Sequence, residues 1–176
     1  MVNKVELLDL YTKDRERTGK TIERGDPVPK GFYRLIVHIC IFNKKGQMLI
    51  QQRQPFKKGW SNLWDVSVGG SAVAGDSSVE AAEREVYEEL GLNLVLSDSR
   101  PALTVSFEDG FDDFYSVILD LEPSELQLQY EEVKAVKWAT KEEILSMIDS
   151  GVFLPWHKSL IELLFYMYDN HRVLTD

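Results

Sequence analysis

The sequence is short of cysteine, of long apolar runs and of clustered basic charge. Its 176 residues hold a single cysteine, Cys40. That excludes an internal disulfide and fits a reducing compartment, so the chain reads as cytoplasmic. No stretch comes near the ~18 apolar residues of a membrane span. The opening MVNKVELLDLYTKDRERTGK is charged and lacks the apolar core of a secretory leader. Twenty Lys and Arg stand against 29 Asp and Glu, a formal net charge of −9, and no basic block interrupts the acidic balance. This argues against a grip on nucleic-acid backbone, where phosphate neutralisation supplies most of the affinity. Repeats, low-complexity tracts and linkers are missing too.

What remains is ordinary globular material, 44% apolar and 28% charged. The length suits one domain over 1–176, with 1–31 as an N-terminal strand-and-loop extension, 32–148 as the core and 149–176 as a C-terminal helix. Val5–Leu10 is a short apolar run, and Thr18–Gly31, with two Pro and three Gly, reads as loop. Phe32–Phe42 and Met48–Gln52 are rich in β-branched and aromatic residues around the turn Asn43–Gly46, which predicts a hairpin. Leu63–Val68, Leu94–Leu96, Ala102–Phe107, Phe114–Leu121 and Val133–Trp138 follow as strand candidates. Ser77 with Glu80 makes a capping box and Gly91 a stop, so Ser78–Leu90 is a helix. Thr140–Glu143 opens a second helix to about Asp149, and a third runs from about Pro155 to Asn170. Strands and helices in this order predict an α+β fold with a mixed sheet between helices.

On a helical wheel Glu85, Glu88 and Glu89 share an arc of roughly 100°, while Val79, Ala82, Val86 and Leu90 form the buried face. Acidic runs are usually solvated. Glu85 and Glu89, however, stand one turn apart with like charge, in the half of the helix whose dipole disfavours anions. Arg84 alone offsets them in sequence. A divalent cation with hard oxygen ligands, Mg²⁺ or Mn²⁺, would offset them better.

From Gly70 the chain runs five residues to Asp76, seven more to Arg84, and on through Glu85-Val86-Tyr87-Glu88-Glu89-Leu90-Gly91-Leu92. This resembles the Nudix box, Gly-x5-Glu-x7-Arg-Glu-(apolar)-x-Glu-Glu-x-Gly-(apolar), at eight of nine specified positions. Gly46–Arg53, Leu63-Trp64-Asp65 and Glu132–Trp138 with Thr140–Leu145 resemble the family's flanking elements, so the likeness covers roughly Phe32 to Ile148. The branch it most resembles is that of isopentenyl-diphosphate isomerase-like members, through LLDLYTKDRERTGK and IFNKKGQ.

The resemblance implies a Nudix-type α/β/α sandwich with a loop–helix–loop metal motif. It implies a pyrophosphohydrolase cleaving a diphosphate linkage in a nucleotide or related small molecule. Glu85, Glu88 and Glu89 would hold Mg²⁺ or Mn²⁺, Arg84 would orient a carboxylate, and Gly70, Asp76 and Gly91 would serve the motif's structure, the glycines as a tight loop and a helix stop. Many members add an acid from a later loop; Glu108, Asp112, Asp113, Glu131 and Glu132 are the candidates. Arg34 and Arg53 are candidates for phosphate, and Tyr33, Trp60 and Trp64 for stacking on a base, with Trp64 the more natural core residue. His38 reads as a core histidine and Cys40 as buried and inert.

Asp76 departs from the family's Glu, shortening the arm by one methylene. That departure keeps a second class of function in view, a Nudix-type sensor that binds a metabolite without efficient hydrolysis. Isomerase activity is disfavoured. Gly69 stands where the isomerase cysteine falls, Ser71 where a histidine follows, and Arg34 in place of a second histidine. The apolar final segment Leu160–Tyr168 leaves a homodimer open.

Overall fold

The computed structural model describes residues 5–170. Its elements are β1 (Leu7–Tyr11), β2 (Arg17–Glu23), β3 (Arg34–Phe42), β4 (Met48–Arg53), β5 (Trp64–Asp65), β6 (Val68–Ser71), α1 (Ser78–Leu90), β7 (Leu103–Phe107), β8 (Gly110–Ile118), β9 (Val133–Ala139), α2 (Lys141–Asp149) and α3 (Lys158–Met167). The fold is the expected α+β arrangement, a mixed sheet between helices. The last residues of the expected C-terminal helix, 171–176, lie outside the described residues.

The sheet is organised by β3. It runs parallel to β8 from Arg34↔Gly110 to Phe42↔Ile118, and antiparallel to β6 from Ile36↔Ser71 to Ile39↔Val68. Alternate β3 residues fill opposite cores, as a strand covered on both faces requires. Val37, Ile39 and Ile41 pack with Ala81, Ala82, Val86 and Leu90 of α1. Cys40 and Phe42 pack with Ile144, Ile161 and Leu164 of α2 and α3. Burial pushes the Cys40 thiol far above its ordinary range, so it is inert as read.

The predicted β3–β4 hairpin exists only beside its turn. Phe42↔Met48 is its sole paired position, and β4 leaves to pair with β9 and β5. The fork so opened is closed by one buried side chain. Ser67 Oγ accepts from Ile41 N–H at 2.8 Å and donates to the Leu49 carbonyl, satisfying two backbone groups that no strand reaches.

Three expectations need correction. Thr18–Gly31 is not all loop, because β2 occupies Arg17–Glu23 and pairs with β1. Leu94–Leu96 is not a strand; Leu96 N–H donates to Glu83 Oε1 at 2.5 Å instead of to a ladder. The strand placed at Phe114 begins at Gly110 and so carries Asp112 and Asp113, residues that strands generally avoid. Asp113 is tolerated because its fully buried carboxylate accepts from Arg15 (2.6 and 3.0 Å), Ser78 (2.6 Å) and Thr104 (2.6 Å). Ser78 opens α1 and also accepts from Tyr115 at 2.8 Å. One acid thus ties the tip of the β1–β2 hairpin, the sheet and the start of α1 together.

Desolvation would raise the Asp113 carboxyl, but these donors outweigh it and hold it below the usual range. A group lowered on folding stabilises the protein above the unfolded-chain value near ~4 and loses that contribution as pH falls through its folded value. Urea denaturation is expected to find Asp113→Ala less stable by about 2–3 kcal/mol at neutral pH. Asp113→Asn should flatten the decline in stability below about pH 4 that the native protein shows.

Candidate active site

Helix α1 begins as its sequence dictates. Ser77 Oγ accepts from Glu80 N–H at 3.2 Å, and the Glu80 carboxylate accepts from Ser77 N–H at 2.8 Å. It ends at Gly91, left-handed at φ 67°, whose N–H donates to the Tyr87 carbonyl. Between these caps the acidic arc is not the solvated face that charge runs usually make. Glu85 is 6% exposed and Glu89 5%; only Glu88 reaches solvent freely.

Gly70 explains how Glu85 is buried. A Cβ at position 70 would lie 2.1–2.4 Å from the Glu85 carboxyl atoms, so the carboxylate occupies the space a side chain would take. Gly70 serves by lacking volume, not by forming the tight loop expected of it. Its neighbour behaves similarly, since a Cβ at Gly69 would meet His38 Nδ1 at 2.8 Å.

Arg84 is the organising cation. It donates to Asp76 (3.0 Å), Glu85 (2.9 Å), Glu88 (3.1 Å) and the Ser71 carbonyl (3.1 Å). Asp76 therefore reaches its partner despite the missing methylene. The β1–β2 hairpin braces the same loop. Ala74 N–H donates to the Leu7 carbonyl at 2.7 Å, Gly75 N–H to Asp9 at 2.8 Å, and Arg17 to the Gly75 and Asp76 carbonyls.

Glu89 faces β4, accepting from Gln51 Nε2 at 2.8 Å. Desolvation, reinforced by the charge of Glu85, pushes it up to about 8 against that hydrogen bond. Glu85 is raised as well, by burial, with Arg84 opposing. Among the described residues no three Asp, Glu, His or Cys side chains form a closed metal cluster; the Arg84 guanidinium lies between Glu85 and Glu88. The donors are nevertheless all carboxylate oxygens, partly desolvated and short of positive charge, which suits a hard divalent cation.

Beside Gly70 opens a cleft of about 280 Å³. Arg53 lines it, at 4.0 Å from Asp65 and donating to the Gly59 carbonyl at 3.3 Å. Arg34 does not. It lies 3.6 Å from Asp109, with its guanidinium over Phe107. Trp60 lines the cleft, whereas Trp64 carries Lys137 over its ring and Tyr33 packs at a tilt on Phe111. His38 is packed on Phe114 and Trp156, as a core histidine would be, yet it also borders the cleft, with Asp112 3.2 Å from its Nε2.

Of the five later acids, Glu132 is the one whose charge reaches Glu89, and it is paired with Lys57. Asp112 and Asp113 have the partners given above. Glu131 is exposed, and Glu108 is an exposed residue of the β7–β8 turn. Sequence reasoning missed Arg24, which projects from the end of β2 into the cleft. It pairs with Glu6 at 2.6 Å and feels the charge of Glu85 and Glu132. No local pattern marked it, because it sits in the stretch read as loop.

A profile for the NUDIX domain matches residues 32–163. The chain belongs to the Nudix family. It is 49% identical over 148 residues to an uncharacterised Nudix hydrolase of Listeria monocytogenes, covering 84% of this chain and 88% of that one. It is 32% identical over 123 residues to an isopentenyl-diphosphate Delta-isomerase of Escherichia coli, covering 66% and 68%. Among solved structures it superposes on DR0079 from Deinococcus radiodurans with a TM-score of 0.73 and 29% identity, covering 93% and 99%. The β1–β2 hairpin lies ahead of the matched profile and still supplies Arg24, Arg17 and Asp9 to this Nudix site. Divalent metal and small-molecule substrates are general to the family. Among the described residues no helix is long and apolar enough to cross a membrane.

The Gly70–Glu85 fit gives a direct test. Gly70→Ala is expected to destabilise by about 1–3 kcal/mol through overpacking. In a Glu85→Ala background the same change should be nearly neutral, a coupling that a denaturation double-mutant cycle reads.

Proposed function

We propose that this Nudix protein is a divalent-metal-dependent hydrolase that cleaves a diphosphate linkage in a small molecule, with Glu85, Glu88 and Glu89 as the ligands of Mg²⁺ or Mn²⁺. The observation that carries this reading is the burial of Glu85 and Glu89, one turn apart, Glu85 in the space over Gly70 with Arg84 as its partner and Glu89 with the Gln51 amide. Such a pair is costly for a fold and useful for a cation. When bound, that cation neutralises phosphate oxygens and acidifies water.

The chain's own groups divide the remaining work. Arg84, fixed by Asp76, holds Glu85 and Glu88 in place. The Gln51 amide orients Glu89, and Glu132 adds an acid beside it. Arg24 and Arg53 supply the positive charge that phosphate oxygens need, and Arg24 exchanges Glu6 for substrate. The shorter acid at 76 still reaches Arg84, at 3.0 Å, which supports hydrolysis over a non-catalytic sensor. Isomerase chemistry is unsupported. The position of its cysteine is Gly69, where a side chain would strike His38.

Incubation with Mg²⁺ and a panel of nucleotides, nucleotide sugars, dinucleoside polyphosphates and isopentenyl diphosphate is expected to show hydrolysis of one class. Glu89→Gln should lower kcat by at least ~10²-fold while the metal-free protein melts no lower than the native one, since the amide matches the volume of the carboxyl, which burial already disfavours as a charge. Unchanged kcat would overturn the assignment. Arg24→Ala should raise KM about tenfold or more, with a smaller effect on kcat.

A further inference from the structure

His38 keeps one ring nitrogen that the fold does not use. Its Nδ1 is buried and has no hydrogen-bond partner among the described residues. Arg34 Nε and Ser116 Oγ share that condition, but neither residue borders the cleft. A buried polar atom without a partner costs stability, so packing alone does not account for the imidazole.

The ring is fixed in orientation. It stacks on Phe114 with centroids 4.7 Å apart, and Trp156 stands perpendicular to it at 5.1 Å. Trp156 is held in turn by the 2.9 Å bond from its Nε1 to Asp65. Asp112 precedes Phe114 by two residues in β8, on the same face of the sheet, and its Oδ1 lies 3.2 Å from His38 Nε2. An ionised carboxylate only accepts, so the ring proton sits on Nε2 and Nδ1 keeps its lone pair.

Nδ1 faces the floor of the cleft. The Cβ of any other residue at position 69 would stand 2.8 Å from it, so glycine is what leaves the nitrogen uncovered. Gly69 and Gly70 are consecutive in β6 and face opposite sides of the sheet. His38 takes the space over the first, and Glu85 the space over the second. Both glycines border the cleft, and among the described strands β6 pairs with β3 alone, which leaves its outer edge open. Asp65 lies within electrostatic reach of His38 on one side and of Glu89 on the other. A ligand lying across this edge meets the acidic helix and the imidazole together.

We propose that His38 is the general base of the hydrolysis, with Asp112 as its positioning residue. This rests on the diphosphate reading of the cleft. Nδ1 takes a proton from water as the water oxygen bonds to phosphorus. The bridging P–O bond breaks, and the departing phosphate keeps its electron pair. The imidazolium so formed is stabilised by Asp112 and returns its proton to solvent. The mixed charge of the lining then divides by task. Arg24 and Arg53 meet anionic oxygens, while Asp65 and Asp112 act on Trp156 and His38.

Kinetics on the panel compound that the native protein cleaves fastest test this. His38→Gln is expected to lower kcat at least ~10²-fold and to change KM less than about threefold. Asp112→Asn should lower kcat about tenfold, since an amide stabilises the imidazolium less than a carboxylate does. In His38→Ala, imidazole added to the buffer should restore kcat at least about tenfold. Pyrrole, of the same shape but without a basic nitrogen, should not. In the metal-free native protein, the nitrogen-15 resonances of His38 should show a proton on Nε2 and a bare Nδ1. The opposite tautomer overturns the base whatever becomes of the hydrolase reading. So does a kcat in His38→Gln within about threefold of native, a loss carried by KM, or restoration by pyrrole equal to that by imidazole. A loss that imidazole fails to restore overturns it too; if His38→Ala does not fold, His38→Gln decides by kcat against KM. Cleavage of no panel compound by the native protein overturns the hydrolase reading together with the base, whereas cleavage that survives His38→Gln overturns the base alone.

Discussion

The site depends on an exchange of volume between a strand and a helix. Glu85 lies over β6 because Gly70 has no side chain, and with Glu85 turned inward, Arg84 is positioned to bind it, Glu88, Asp76 and the Ser71 carbonyl at once. That network fixes the loop ahead of α1, and the β1–β2 hairpin fastens the loop from outside through Leu7, Asp9 and Arg17. Glu89, one turn further on, is then left facing β4 with Gln51 alone. The charge strain of the site follows from one missing methyl group.

Support for this arrangement comes from the sheet. Asp113 anchors the first turn of α1 from below, and Ser67 bridges the fork where β3 parts from β4. The fork leaves β6 free to pair with β3 and to carry Gly69, Gly70 and Ser71 along the floor of the cleft.

Local features were legible in the sequence. The Ser77–Glu80 and Thr140–Glu143 boxes and the Gly91 stop set helix boundaries that the structure keeps, since capping is decided within four residues. The spacing of Glu85, Glu88 and Glu89 was equally readable. Their burial was not, because it depends on Gly70 and Gln51, which reach them only through the fold. Asp112 and Asp113 fell outside the strand expected from Phe114, because the Arg15 and His38 that accommodate them come from distant segments. Arg24 was invisible for the same reason. Arg34 and Arg53 were indistinguishable as sequence, and only the direction of β3 and β4 separates the one bound to Asp109 from the one lining the cleft.

The parallel pairing of β3 with β8 has a consequence for how the site comes into being. Everything from Asn43 to Asp109, the whole acidic motif included, lies inside the loop this pairing closes. Non-local pairings of that kind form late and slowly. A nascent chain halted before β8 would carry all of the motif's acids yet none of the anchorage Asp113 gives to Ser78. The motif can be translated well before the chain can use it.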